Sequence, residues 1–396
     1  MLAEKDRVEV EVGQPAHGGH CVARHDGQVI FVRHALPGER VVVEVTEVHK
    51  GYARADAVEI IEASPDRVTP PCPYSHPDGC GGCDLQHAAP NAQLEWKRAV
   101  LREQFQRLAR LELDVPVEPL PASGPFGWRT RVRYRVAASG RAGLLKHRSN
   151  EVVPIDRCLI AHPSIQALDV LERSWPDVDT IDVVVPSDAP AEIVRNQRIF
   201  ERAVGRRFEL EAGGFWQVHP AAAGTLAGCV LDFLRPRKGE RAWDLYGGAG
   251  LFSAALAQAG CEVTLVESAA ENVEAARRSL SDLPVRVLGT PVENARLTKS
   301  IDLVVLDPPR VGAGARVVRM INAAAPRAVA YVACDPAALA RDVRTFMDLG
   351  WELRQVRAFD CFPQTHHLEA VAHLVRQGVF HAPSEGEGSV SAMTRA

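Results

Sequence analysis

The sequence predicts an α/β protein. A doubly wound, seven-stranded, mostly parallel sheet fills the C-terminal half, after a small N-terminal β-barrel and a central α+β segment. Three observations carry that expectation. From about residue 220, apolar strand-like runs alternate with Ala-rich helical stretches. The first 64 residues instead alternate apolar and polar side chains between glycine turns. A stretch rich in proline and cysteine separates the two patterns.

The N-terminal unit, residues 1–64, contains "RVEVEVG", "GQVIFVR" and "ERVVVEVTEVHKGYARADAVEII", punctuated by "GGH", "HDG" and "LPGE". Four or five short strands of this kind suit a small barrel of the type that serves as an oligonucleotide platform. Residues 65–210 make the central segment. A Pro-rich linker leads into "CPYSHPDGCGGC", which sets Cys72, Cys80 and Cys83 at C-x7-C-x2-C spacing, and Cys158 in "IDRC" is available as a fourth thiolate. Four thiolates hold either zinc or a 4Fe–4S cluster, and spacing alone leaves both open. Residues 91–111 place Leu94, Val100, Leu101, Phe105, Leu108 and Leu111 at helical spacing. In "FGWRTRVRYRV", Arg129, Arg131, Arg133 and Arg135 recur at period 2 on one face of a predicted strand. That row is either a solvated sheet face or a local nucleic-acid surface.

The C-terminal unit, residues 211–380, supplies the sheet strands "RAWDLY", "CEVTLVE", "VRVLG", "IDLVVLD", "AVAYVAC", "WELRQVRAFD" and "LEAVAHLVR". Residues 381–396 read as a disordered tail. The chain has no internal repeat and no run of about 18 uncharged apolar residues, so no membrane partner is expected. Its charged, alternating start argues against a signal peptide and for a cytoplasmic protein, and a monomer is expected. Nine unevenly spread cysteines in a reducing compartment point to metal ligation or chemistry rather than disulfides. The net charge of −4 gives no global basic field, so an RNA partner requires a local basic surface.

"DLYGGAG" (244–250) sits where the first strand of the α/β unit turns into a helix, and the second strand ends about twenty residues on in Glu267. A glycine turn followed by a carboxylate at the next strand end suits a ligand with a ribose, either a dinucleotide or S-adenosylmethionine. The fourth strand ends in Asp307-Pro308-Pro309-Arg310, a rigid loop bordering the same crevice, which favours S-adenosylmethionine.

"GFWQVHP", "DLYGGAGLFS", "VESAAENV", "LDPPRVG", "YVACDPAALARD" and "DCFPQTHHLEAV" follow the order and spacing of the uridine carbon-5 RNA methyltransferases, which this chain resembles over residues 1 to about 376. The N-terminal barrel resembles the TRAM domain, and the cysteine cluster resembles the iron–sulfur site of the 23S rRNA branch of that family. The resemblance implies a Rossmann-like methyltransferase domain with Gln217, Tyr246, Gly248, Glu267 and Asp307 around S-adenosylmethionine. It also implies a 4Fe–4S cluster on Cys72, Cys80, Cys83 and Cys158, in preference to zinc, and RNA as partner, 23S rRNA rather than tRNA. The family usually carries cysteine at Gly248, asparagine near His219 and asparagine at Asp335.

Carbon 5 of uracil is a poor nucleophile until a thiolate adds at carbon 6 and makes an enolate. A base must later remove the carbon-5 proton. Cys334, at one strand end, is the expected nucleophile and Glu369, at the start of another strand, the expected base. His366 and His367 are positioning residues in this reading, and Arg310 steers phosphate or a uracil oxygen. Arg129, Arg131 and Arg133 form the expected RNA-contacting row. Two other functions remain open at this level: methylation of a base nitrogen, which needs no cysteine, and an RNA-binding iron–sulfur assembly factor with a relic methyltransferase domain.

Overall fold

The computed structural model describes residues 2–121, 124–195, 197–298 and 300–376; the tail expected at 381–396 lies outside them. Five strands, β1 (Arg7–Ala16), β2 (His20–His25), β3 (Gln28–Arg33), β4 (Arg40–Val48) and β5 (Tyr52–Glu62), close into a barrel in the order β1-β2-β3-β5-β4. The period-2 pattern points Val10, Val12, Ala23, Ile30, Val32, Val41, Val43, Val45, Ala53 and Ala55 inward, where they form one core.

Helix α1 (Pro90–Gln104) continues through a π-helical turn at Phe105–Ala109, and the short strand β6 (Val117–Pro119) follows. The helix is a strut with two apolar faces. Trp96 and Val100 pack on the barrel core, whereas Leu101, Phe105 and Ala109 pack on the C-terminal sheet. Between the two faces Lys97 is fully buried and donates to Asp360 Oδ1 at 2.5 Å and to the Phe362 carbonyl at 3.1 Å.

The central unit is a five-stranded sheet of β7 (Arg131–Val136), β8 (Ala142–Leu145), β9 (Val152–Pro154), β10 (Thr180–Val184) and β11 (Glu192–Val194), in the order β11-β10-β7-β8-β9. The single-turn helix α2 (Pro163–Gln166) lies between β9 and β10 in the chain. A hairpin, β12 (Arg198–Ala203) and β13 (Arg206–Glu211), leads to helix α3 (Ala222–Leu234).

The C-terminal unit alternates β14 (Arg241–Leu245), α4 (Leu251–Gln258), β15 (Glu262–Glu267), α5 (Ala270–Ser279), β16 (Val285–Gly289), β17 (Leu303–Leu306), α6 (Gly314–Ala324), β18 (Ala328–Ala333), α7 (Pro336–Asp348), β19 (Trp351–Asp360) and β20 (Glu369–Arg376). All seven expected strands are present. The sheet order is β16-β15-β14-β17-β18-β20-β19-β6, so β6 adds an eighth strand, parallel to β19, that the sequence pattern did not mark. Helices cover both faces, which is why β18 is apolar and buried along all six residues instead of alternating. Among the described residues no helix is long and apolar enough to cross a membrane.

Candidate active site

A candidate cofactor crevice forms at the carboxyl ends of β14, β15 and β17, where open α/β sheets place their ligands. Tyr246 leaves β14 in the left-handed region, φ 60°, and starts the sharp turn into α4. A Cβ at Gly250 would lie 2.4 Å from Leu280 Cδ1, so the close approach of turn and α5 requires glycine there. At Gly248 a Cβ would meet nothing within 4 Å, so that glycine leaves open space where the family usually has cysteine.

Glu267 locks this turn. Its Oε2 accepts from the Gly248 amide at 3.0 Å, and its Oε1 accepts from the Ser268 and Ala269 amides, both at 2.7 Å. Oε2, with a single donor, keeps acceptor capacity for a ribose hydroxyl, whereas Oε1 is filled by its two amides. Beneath the turn, Asp244 is fully buried, and its Oδ2 accepts from the Ser253 amide at 2.8 Å and hydroxyl at 2.7 Å. Its Oδ1 is buried with no partner among the described residues. Burial pushes Asp244 up to about 7, and burial with the nearby Asp244 charge does the same to Asp307. An orphaned buried oxygen, an open glycine cradle and a strand-end carboxylate together fit a nucleoside-bearing cofactor. Gln217 is buried in the segment before α3. Beside it His219 stacks on Trp128 at 6.0 Å and accepts from the Ala221 amide at 3.2 Å, a local role that does not depend on the asparagine usual in the family.

Cys334 and Glu369 meet across the sheet. β18 and β20 are antiparallel with Ala333 opposite Ala370, so the next step of the ladder sets Cys334 opposite Glu369. Directly opposed residues project to the same face, with Cα atoms about 4.5–5.5 Å apart. Glu369 is buried, and burial followed by the Asp307 charge raises its carboxyl well above the ordinary range, with Arg310 opposing. Burial, then Glu369 and Asp307, pushes the Cys334 thiol up to about 11, again against Arg310. His366 is taken by Asp84 at 2.6 Å, and burial next to His366 and Arg310 lowers His367 to about 3.

Asp335, directly after Cys334, is the N-cap of α7: its Oδ1 accepts from the Ala338 amide at 2.8 Å. Asparagine would cap equally well, so the departure leaves the helix start intact. The carboxylate adds an ion pair, 3.1 Å from Oδ2 to His17 Nε2 in the barrel turn. Burial pulls Asp335 upward, but the His17 and Ala338 hydrogen bonds outweigh it and hold the carboxyl below its usual range.

The four expected ligands Cys72, Cys80, Cys83 and Cys158 line one apolar cavity with Tyr74, Leu144, Ile155 and Ile160. Burial raises Cys80 to about 11 and lifts Cys83 and Cys158 as well, so these thiols stay neutral unless a metal displaces their protons. Among the described residues no three His, Cys, Asp or Glu side chains gather around a single ion position. Cys21, Cys229, Cys261 and Cys361 are buried in the apolar cores, as packing residues should be.

The arginine row is less uniform than its period suggested. Arg129 turns back to the Arg131 carbonyl at 2.9 Å, and its charge opposes the rise of Cys80 and Cys158. Arg131 is largely buried and pairs with Glu201 at 2.8 Å. Arg133 is exposed but forked onto Asp182 at 2.6 and 3.0 Å. Arg135, exposed at the end of the row, has no ion-pair partner among the described residues.

Sequence reasoning missed His17 and Asp84. Neither stands in a motif; each gains significance only from the loop that the fold brings opposite. Asp84 is buried and fixes His366, while the Asp84 and Leu85 amides donate to the Gln364 carbonyl at 3.1 and 3.0 Å. The cysteine loop therefore clamps the loop that precedes Glu369.

Two family descriptions match the chain, a TRAM domain over residues 4–58 and a tRNA (Uracil-5-)-methyltransferase over residues 292–377. A protein of Streptomyces avermitilis described as an uncharacterized RNA methyltransferase is 46% identical over 425 residues, covering 93% of this chain and 98% of that protein. One of Corynebacterium efficiens, with the same description, is 39% identical over 410 residues, covering 95% and 96%. The structure of the Pyrococcus abyssi tRNA (uracil-54, C5)-methyltransferase in complex with S-adenosyl-L-homocysteine matches with TM-score 0.71 at 23% identity, over 92% of this chain and 100% of that one. At that identity the likeness is one of fold.

Proposed function

The chain belongs to the RNA (uracil-5) methyltransferase family, and from that premise we propose that it makes 5-methyluridine in RNA, with 23S rRNA as the substrate. The observation that carries the reading is the placement of Cys334 opposite Glu369 at two adjacent strand ends beside the cofactor crevice. Methylation of a base nitrogen would have no use for that pair, and neither would a relic domain.

Gln217, Tyr246, Gly248, Glu267 and Asp307 would hold S-adenosylmethionine, which supplies an electrophilic methyl group to carbon 5 of the base. The residues of this chain do the rest. Cys334, as thiolate, adds to carbon 6 and leaves carbon 5 nucleophilic. Arg310 eases that ionisation, against the burial and neighbouring carboxylates that oppose it. Glu369 acts in its carboxylate form when it takes the carbon-5 proton, a form that burial and Asp307 oppose and that Arg310 favours. The electron pair left behind restores the 5,6 double bond and expels Cys334. The target uridine must be unstacked to expose carbon 6.

Cys72, Cys80, Cys83 and Cys158 would hold a 4Fe–4S cluster. All four line one cavity, which would suit either metal, and the resemblance to the 23S rRNA branch of the family is what favours the cluster over zinc. No step above calls for redox chemistry, so a cluster there would be structural, holding the loop whose Asp84 and Leu85 clamp the segment before Glu369. Iron and acid-labile sulfide in anaerobically purified protein, against zinc, test the metal.

The choice of 23S rRNA rests on the pairing of a TRAM barrel with a cysteine cluster. The description of the matched C-terminal segment, and that of the Pyrococcus enzyme, favour tRNA as the second reading. Labelled methyl transfer from S-adenosylmethionine to total RNA, followed by mapping, decides. A 5-methyluridine in 23S rRNA is expected; a mark confined to tRNA establishes the second reading, and no transfer despite cofactor binding overturns both.

A further inference from the structure

The barrel reaches the nucleophile. Between β1 and β2 the chain turns through Gly18 and Gly19, both left-handed at φ 96° and 80°. A Cβ at Gly19 would lie 3.1 Å from Asp84 Cγ and from His366 Nδ1, so the turn is wedged between the cysteine loop and the catalytic loop. That fit aims His17 at α7, where its Nε2 stands 3.1 Å from Asp335 Oδ2. The other carboxylate oxygen is committed to the Ala338 amide at 2.8 Å. Asp335 is bonded to Cys334, and a carboxylate there opposes ionisation of the thiol.

We propose that His17 is a positioning residue for Cys334: the barrel-borne imidazole engages the Asp335 carboxylate and so shields the neighbouring thiolate from its charge. The inference rests on the proposed nucleophilic role of Cys334 for its meaning, but not for its test. It links the seating of the barrel, the unit expected to grip RNA, to the reactivity of a thiol in another unit. Titratable groups facing this junction are His17, His20, His366 and Asp84 from the turn and loops. Arg341 acts on Asp335 from α7, while Asp307, Arg310 and Glu369 act on the thiol from the crevice. None of these others hydrogen-bonds to Asp335 among the described residues.

The test reads thiol ionisation directly, without RNA or cofactor. The alkylation rate of Cys334 by iodoacetamide is followed against pH in the full-length protein, with the Cys334 peptide quantified by mass spectrometry. His17→Ala is expected to raise the apparent thiol pKa and slow alkylation at pH 8 roughly three- to tenfold. Asp335→Asn, which keeps the cap without the charge, is expected to alkylate at least as fast as the parent and to be indifferent to the added His17→Ala. His17→Gln, a neutral donor, should recover part of the loss. An unchanged profile in His17→Ala overturns the proposal. An equal slowing in the Asp335→Asn background also overturns it, because the effect would then be structural. If Cys334 responds as expected while Cys334→Ala still methylates RNA, the inference stands and the catalytic reading fails.

Discussion

Cys334 and Glu369 stand opposite each other one step beyond the Ala333–Ala370 pair, at the ends of antiparallel strands β18 and β20. The insertion of β20 between β18 and β19 makes this possible. Chain reversal brings the start of β20 to the end of β18, so two residues 35 positions apart share one crevice wall. In the proposed roles of nucleophile and base, the two would need no loop movement to act on one ring.

Glu369→Gln should separate addition from elimination. Loss of a positioned general base costs about 10²- to 10⁴-fold in turnover. The carbon-5 proton then stays in place and the protein–RNA thioether accumulates. Denaturing electrophoresis with labelled RNA and S-adenosylmethionine reads the adduct, which Cys334→Ala should not form.

The thiol of Cys334 should be sluggish at neutral pH. A pKa raised from 9.0 to about 11 leaves roughly a hundredfold less thiolate at pH 7 than an ordinary thiol has. The sign fixes the profile: alkylation of Cys334 climbs tenfold per pH unit and levels only near pH 11. A plateau near pH 8 would show that the thiol is not desolvated in solution.

Lys97→Ala should be among the most damaging changes outside the crevice. It leaves Asp360 buried beside the catalytic sheet without its cation, at a cost of about 3–5 kcal/mol. Chemical denaturation would read the loss. A change below about 1 kcal/mol would mean that water reaches the pair.

Within the arginine row, effects should divide by engagement. Arg131→Ala strands the buried Glu201 and should lower stability with little specific effect on RNA affinity. Arg135→Ala should leave stability unchanged, weaken RNA binding, and reduce the salt slope by about one. Filter binding at several salt concentrations, with melting curves, checks both.

Asp335→Ala should cost about 0.5–2 kcal/mol through loss of the α7 cap, while Asp335→Asn should cost little, since asparagine caps as well as aspartate. Thermal melts distinguish the two.

The seven strands of the catalytic unit, the barrel, and the positions of Cys334, Glu369, Glu267 and Asp307 at strand ends were legible in the sequence. These are local properties: apolar runs of set length, period-2 alternation and glycine turns reflect which face of each element meets water. The eighth strand was not legible. Val117–Pro119 is too short to carry a period and becomes a strand only because β19 offers an open edge. The arginine row shows the same limit from the other side. Its period put four like side chains on one strand, but Glu201 and Asp182, brought in by other strands, decided which of them stay available. His17 and Asp84 carried no signal at all. Their partners Asp335 and His366 lie hundreds of residues away, and an ion pair between distant loops depends on three-dimensional register that no sequence window contains. Sequence patterning determined the reaction's parts and the ends of the strands that bear them. Only the tertiary structure decided which charges stand beside the nucleophile, because electrostatic coupling falls off with distance in space and is blind to distance along the chain.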